Sequence, residues 1–236
     1  MCGRYSVATK KLLKEHRQSA RYPGIINDPI YNAAPSQALP VVPNTSPDTT
    51  ALFSWGLLPA WATSTRTNRP INARADSLTQ SPMFRTLIGR KRCLVLADGF
   101  YEWKKKDSPQ QSLFDLPASA GKNKIIRQPY RFTLLSEDLF SFAGLWDEWV
   151  DKSTGEVLKT FTIITTEANE LVQEVHDRMP VILTSEAEEL WLNNDEPVEA
   201  LLDLLKPYDA AAMKAYPISP LINSPQNNMP EVLNSL

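Results

Sequence analysis

Arg92-Cys93-Leu94-Val95-Leu96-Ala97-Asp98-Gly99-Phe100-Tyr101-Glu102-Trp103-Lys104 is the run that decides the fold. Its first half is continuously apolar and short enough for a buried strand. Asp98-Gly99 is a turn dipeptide, and the aromatic second half suits another strand. The run therefore predicts strand, turn, strand: a β-hairpin near the centre of the chain. Glu102 stands between Tyr101 and Trp103 on the second strand. A carboxyl among aromatics loses hydration, which disfavours its charge and raises its pKa. That is the profile of a general acid and base.

Outward from this run the pattern stays rich in strands. Leu39-Pro40-Val41-Val42 and Thr50 to Leu57 precede it; Tyr130 to Leu135, Phe140 to Trp146 and Phe161 to Thr165 follow it. Helices are short and peripheral. One is read at 9–19, capped by Thr9 and containing His16 among charges. One runs from Ser81 to Gly89, with Pro82 in its first turn. One is capped by Thr165 or Thr166 and ends at Val175. Others are 186–192, capped by Thr184 or Ser185, and Pro197 to about Leu205. Residues 105–129 read as an inserted, mobile loop of Lys, Ser, Gln, Pro and Gly. The segment Tyr216 to Leu236 offers one last strand and then a loose tail over 224–236. No repeat or linker divides the chain, so 1–236 is read as a single domain.

Composition sets limits. The 236 residues carry 42% hydrophobic and 22% charged side chains, ordinary globular values. The formal net charge is −2, so any nucleic-acid contact must use a local patch rather than a bulk positive field. Two cysteines, Cys2 and Cys93, and two histidines make neither a disulfide framework nor a Cys/His zinc cluster. No metal or other cofactor is expected. Cys93 reads as a small buried hydrophobe. No apolar run approaches the ~20 residues of a membrane span, and no signal peptide is visible. The expectation is an intracellular protein without membrane contact.

The residues with chemical options lie apart in sequence. Cys2 follows the initiator methionine directly. Removal of Met1 would leave an α-amine beside a thiol, with pKa values of roughly 7.7–8.0 and roughly 8.5. Such a 1,2-aminothiol can act as a nucleophile with its own base. It can also condense with an aldehyde and close a thiazolidine ring. Asn72 and Arg74 alternate with small residues in Pro70-Ile71-Asn72-Ala73-Arg74-Ala75, so an extended segment presents both on one face. Trp55 and Trp61 flank Gly56 and Pro59, and one of them could be an exposed platform for bases. Arg90-Lys91-Arg92 is the densest basic run. His176 sits between a helix and a strand, where loops commonly carry function. With an ordinary pKa of about 6.5 it could supply a proton near neutrality.

Taken together these stretches resemble one family. Met1-Cys2-Gly3-Arg4, Tyr31-Asn32-x-Ala-Pro35, Trp55-Gly-Leu-x-Pro-x-Trp61, Ile71-Asn-Ala-Arg-Ala75, Asp98-Gly-Phe-Tyr-Glu-Trp103 and Val175-His-Asp-Arg-Met-Pro180 fall in the order seen in the SRAP family. These are the SOS-response-associated peptidases, or abasic-site-processing proteins. The tail Asn223-Ser-Pro-Gln-Asn-Asn-Met-Pro-Glu231 is similar to the family's C-terminal motif. Asp76 and Asn228 depart from it, standing where Glu and Asp are usual, and 105–129 is longer than in compact members.

The resemblance implies an α+β fold: a curved, partly barrel-like antiparallel sheet with peripheral helices and a positive groove. It implies a monomer that crosslinks to abasic sites in single-stranded DNA as part of DNA repair. Cys2 would be the nucleophile and Asn72 would hold the abasic sugar. Glu102 would move protons during ring formation, and His176 would assist sugar opening and reversal. Arg4 and Arg74 would hold phosphates and Trp61 would pack on a base, with Arg90, Lys91 and Arg92 as outer contributors. The compartment would be nuclear in a eukaryote and cytoplasmic in a bacterium. Two other readings stay open: an N-terminal-nucleophile peptidase with Asn72 as oxyanion donor, and a non-covalent single-strand binding module.

Overall fold

The computed structural model describes residues 2–8, 28–105 and 127–236. The helix read at 9–19, His16 and most of the 105–129 insertion lie outside the described residues. The strands are β1 Tyr5–Val7, β2 Ile30–Ala33, β3 Ala38–Pro43, β4 Ala51–Trp55, β5 Asn72–Arg74, β6 Arg92–Ala97 and β7 Gly99–Lys105. They continue with β8 Arg127–Leu134, β9 Phe140–Val150, β10 Val157–Glu167, β11 Arg178–Pro180, β12 Ile182–Leu183 and β13 Met213–Pro217. The insertion is thus shorter than its composition suggested, because Lys105 and Arg127–Pro129 belong to strands.

Five strands close on themselves in the order β10-β4-β3-β6-β9, and β9 pairs back onto β10. The result is a small barrel whose interior holds Trp55, Phe142, Phe161 and Val95. Closure removes the free edges that an open sheet would have to protect. Four junctions are antiparallel, but β4 runs parallel to β10. Short β5 continues that parallel pairing, with Asn72 opposite Ile163 and Arg74 opposite Thr165. The barrel is therefore mixed, not purely antiparallel. A second sheet, β13-β8-β7-β1-β2, is antiparallel throughout.

The run at 92–104 is two strands, as its composition predicts, but not a hairpin. β6 pairs with β3 and β9 in the barrel, whereas β7 pairs with β1 and β8 in the second sheet. Asp98 is the corner between them. Its backbone amide donates to Ser6 O at 2.8 Å and its Oδ2 accepts from Ala8 N at 3.1 Å. Gly99 is not left-handed, as a two-residue hairpin turn would require. It is glycine because a Cβ there would lie 2.9 Å from Arg131 Nε and 3.0 Å from Phe132 O. Every residue of β6 is buried, so its missing alternation marked a strand covered on both faces.

Local differences have local causes. Residues 82–90 form a succession of turns rather than one helix. β10 extends through Thr165 and Thr166, so the following helix, Glu170–Gln173, is capped instead by Asn169, whose side chain accepts from Val172 N. Thr184 caps helix Ser185–Leu192 and Pro197 opens helix Val198–Asp203, as read. The segment after β13 is anchored by three apolar side chains, while most of 224–236 is exposed. Ile218, Ile222 and Val232 are fully buried against Tyr101.

Candidate active site

β1 lies between β2 and β7, and that position carries Cys2 into the protein. Cys2 is fully buried. Its Sγ donates to Arg4 O at 3.6 Å, and its carbonyl oxygen accepts from Asn72 Nδ2 at 2.9 Å. Asn72 reaches it from the first position of β5, which hydrogen bonding to β10 fixes on the barrel. Among the described residues nothing donates to Asn72 Oδ1, although it is buried. The site thus holds an acceptor ready for a hydroxyl or ammonium proton.

Glu102 projects from β7 and is 3% exposed. Burial pushes its carboxyl up to about 7. The predicted direction holds, but the cause differs. Tyr101 and Trp103 turn to the opposite face of β7, where they pack with Ile218 and Ile222 of the tail. Glu102 faces the Cys2 side instead. Burial holds the Cys2 thiol well above the usual range, and the Glu102 charge raises it further. The resting thiol is therefore protonated, and a base must take its proton before sulfur can attack.

His176 follows helix Glu170–Gln173, and its neighbour Asp177 raises the pKa of Glu102, so this loop faces the same site. Burial lowers the imidazole pKa below its ordinary value. Two groups meet its Nδ1: the Arg178 amide at 3.1 Å and Asp177 Oδ1 at 2.9 Å. They suit opposite states, since a neutral Nδ1 accepts from the amide and a protonated one donates to the carboxylate. Asp177 is 85% exposed and well screened, so the neutral ring is the resting state at pH 7. Its remaining proton then sits on Nε2. His176 offers a hydrogen bond donor more readily than the acid expected from an ordinary pKa.

The cations are divided. Arg74 is exposed and forks onto Asp76, at 3.2 Å from Nε and 2.9 Å from Nη2. Arg178 Nη1 donates to Asp76 Oδ2, the oxygen that Arg74 Nη2 also holds, at 3.1 Å, and Arg178 Nη2 donates to Thr165 O at 2.6 Å. Arg178 was missed as a separate site residue; its place two residues after His176, at the start of β11, was the available signal. Trp61 is 63% exposed, whereas Trp55 is interior. Arg4, expected on phosphates, is half-buried and bonded to Asn32 Oδ1, Ile222 O and Asn223 O. Arg92 is fully buried, donating to Trp191 O, Ile88 O and Asn193 O. Lys91 pairs with Asp147 at 2.7 Å and lies over the Trp146 ring. Only Arg90 of that basic run is an exposed cation without a structural assignment here.

The geometry can be set beside known proteins. The family model described as SOS response associated peptidase (SRAP) matches residues 1–225. The abasic site processing protein YoqW of Bacillus subtilis is 42% identical over the full length of both chains. The abasic site processing protein HMCES of Xenopus tropicalis is 31% identical, over 88% of this chain and 66% of that protein. A crystal structure of a Bacteroides thetaiotaomicron protein superposes with a TM-score of 0.83 at 33% identity, covering both chains completely. This chain, in which Asn72 and Glu102 lie beside Cys2, belongs to the SRAP family.

Proposed function

We propose that this protein processes abasic sites in single-stranded DNA by forming a covalent thiazolidine crosslink through Cys2. One observation carries the reading: the residue after Met1 is held in the interior by Asn72, beside a carboxyl that titrates near neutrality. The names of YoqW and HMCES supply the substrate class. An open-ring abasic sugar carries an aldehyde at C1′. Once Met1 is removed, the Cys2 amine adds to that carbon and the carbinolamine loses one water to give an imine. The thiol then adds to the imine carbon while the nitrogen gains a proton, closing a five-membered ring. Glu102 in its carboxylate form takes the thiol proton, and in its acid form it protonates the departing hydroxyl. Asn72 Oδ1 accepts from a sugar hydroxyl. Arg74 and Trp61 engage the flanking phosphate and base.

The peptidase reading draws less support. Cleavage between Met1 and Cys2 would place the oxyanion on the carbonyl of Met1. Asn72 donates instead to the carbonyl of Cys2, one residue further on. Incubation with an oligonucleotide bearing one abasic site, followed by denaturing electrophoresis, tests the proposal. Wild type is expected to give a heat-stable adduct and Cys2→Ala none. An equal yield of stable adduct from Cys2→Ala would overturn it.

A further inference from the structure

β1 and β7 run antiparallel with Tyr5 opposite Phe100, so Arg4 faces Tyr101 on the next rung. Strand alternation gives the two rungs different duties. Tyr5 and Phe100 point into the core. Arg4 and Tyr101 point to the outer face, one residue short of Gly3 and Glu102. That outer face is covered by the chain after β13. Arg4 Nη1 donates to Ile222 O at 2.8 Å, and its Nη2 to Asn223 O at 3.3 Å. Trp103 Nε1 donates to Asn223 Oδ1 at 2.7 Å, so one segment grips both strands.

The centre of this layer is Asn32, which is 1% exposed. Its Oδ1 accepts from Arg4 Nη1 at 2.6 Å. Its Nδ2 faces three carbonyls of the same segment: Ser224 O at 2.9 Å, Asn227 O at 3.0 Å and Ile222 O at 3.3 Å. Asn228 Oδ1 in turn accepts from the Tyr31 and Asn32 amides at 2.7 and 3.2 Å. A buried amide with all its donors and its acceptor engaged is a rigid node, since breaking one bond orphans a buried group. The node connects directly to the nucleophile, because Arg4 O accepts from both Cys2 Sγ and Tyr101 N.

We propose that Asn32 is a positioning residue for Cys2: with residues 218–228 it forms a strap that locks Arg4 and thereby holds the thiol beside Glu102. The proposal rests on Cys2 being the nucleophile. It gives Arg4 a structural duty in place of a phosphate contact. It also explains why a largely exposed tail is pinned through Ile218 and Ile222 and through its backbone carbonyls although it contributes no reacting group.

The test compares the two thiols in folded protein. Iodoacetamide alkylation is followed by mass spectrometry at Cys2 and at Cys93, both fully buried in the wild type. Asn32→Ala is expected to label Cys2 about tenfold faster through local opening, with Cys93 still protected. Its crosslinking rate at saturating abasic oligonucleotide should fall about 100-fold, the cost of a misplaced nucleophile. Its affinity for undamaged single-stranded DNA should stay within about twofold, because binding uses other residues. A residue that merely stabilises the fold would expose both thiols together. If Asn32→Ala does not fold, Arg4→Lys decides, since one ammonium cannot span the three acceptors that the guanidinium holds. Cys2 labelling at the wild-type rate in the folded variant would overturn the strap. A wild type that forms no DNA adduct would defeat the crosslinking reading, while the alkylation result would still decide the strap.

Discussion

Burial displaces Glu102 upward and His176 downward from their ordinary pKa values, in each case favouring the neutral form. A carboxyl near 7 is present in both forms at neutral pH, which suits a step that needs a base and then an acid. Glu102→Gln should slow crosslink formation by ~100- to 10,000-fold and remove the rate inflection near pH 7. His176→Ala should act chiefly on reversal of a formed crosslink. Rates of formation and reversal for both variants on one abasic oligonucleotide check this; equal defects in both would mean the pair acts as one unit. The same shift has a stability consequence. The folded carboxyl binds its proton more tightly than the unfolded one, so stability falls as pH rises from about 4.5 to about 7, then levels. Glu102→Gln removes that penalty and should raise stability at pH 8, by up to about 3 kcal/mol, but not at pH 4. The direction of the Glu102 shift was expected from its aromatic neighbours, but burial against other groups causes it. The turning of those neighbours to the other face was not expected, because it depends on what β7 packs against.

At the scale of elements, the corner at Asp98 shows what a local pattern can and cannot decide. An Asp-Gly pair between two apolar runs signals a hairpin when the strands are free to pair with each other. Here β6 is claimed on both edges by β3 and β9, and β7 by β1 and β8, so long-range pairing overrides the turn signal. The same cause extended β10 over the threonines read as helix caps. Arg92 shows the limit for single residues: its neighbours Arg90 and Lys91 made it look like surface charge, but it caps carbonyls inside the protein. Cys2, Asn72 and His176 stood out in the sequence as candidates because their residue types and settings are unusual. Asn32 was visible only as a member of the Tyr31-Asn32-x-Ala-Pro35 motif. Gly99→Ala tests the corner. The added Cβ would meet Arg131 and the Phe132 carbonyl, and backbone does not yield cheaply. A loss of about 1–3 kcal/mol in urea unfolding is expected. An unchanged midpoint would mean that the corner tolerates a side chain.

Over the whole molecule, the net charge of −2 leaves DNA attraction to placement rather than to amount. Asp76 is shared by Arg74 and Arg178. If Arg74 swings to a phosphate, Arg178 still neutralises Asp76, so the exchange leaves no bare carboxylate. Arg74→Ala should weaken binding to single-stranded DNA and lower the slope of log K against log salt by about 0.7. A slope equal to wild type would remove Arg74 from the phosphate contacts. The larger design joins two sheets. The barrel and its β5 extension hold Asn72, the second sheet holds Glu102 and leads back to Cys2 just before β1, and His176 lies in the loop before β11. A partly barrel-like sheet was implied by the family resemblance, but its one parallel junction, between β4 and β10, was not, because it leaves no periodic signature.

The central claim is that an aminothiol at Cys2 bonds to the sugar aldehyde, and the intact mass of the adduct tests it most directly. The predicted mass is that of the chain beginning at Cys2, plus the abasic oligonucleotide, less one water. An adduct that retains Met1, or one that maps to any residue other than Cys2, would contradict the account.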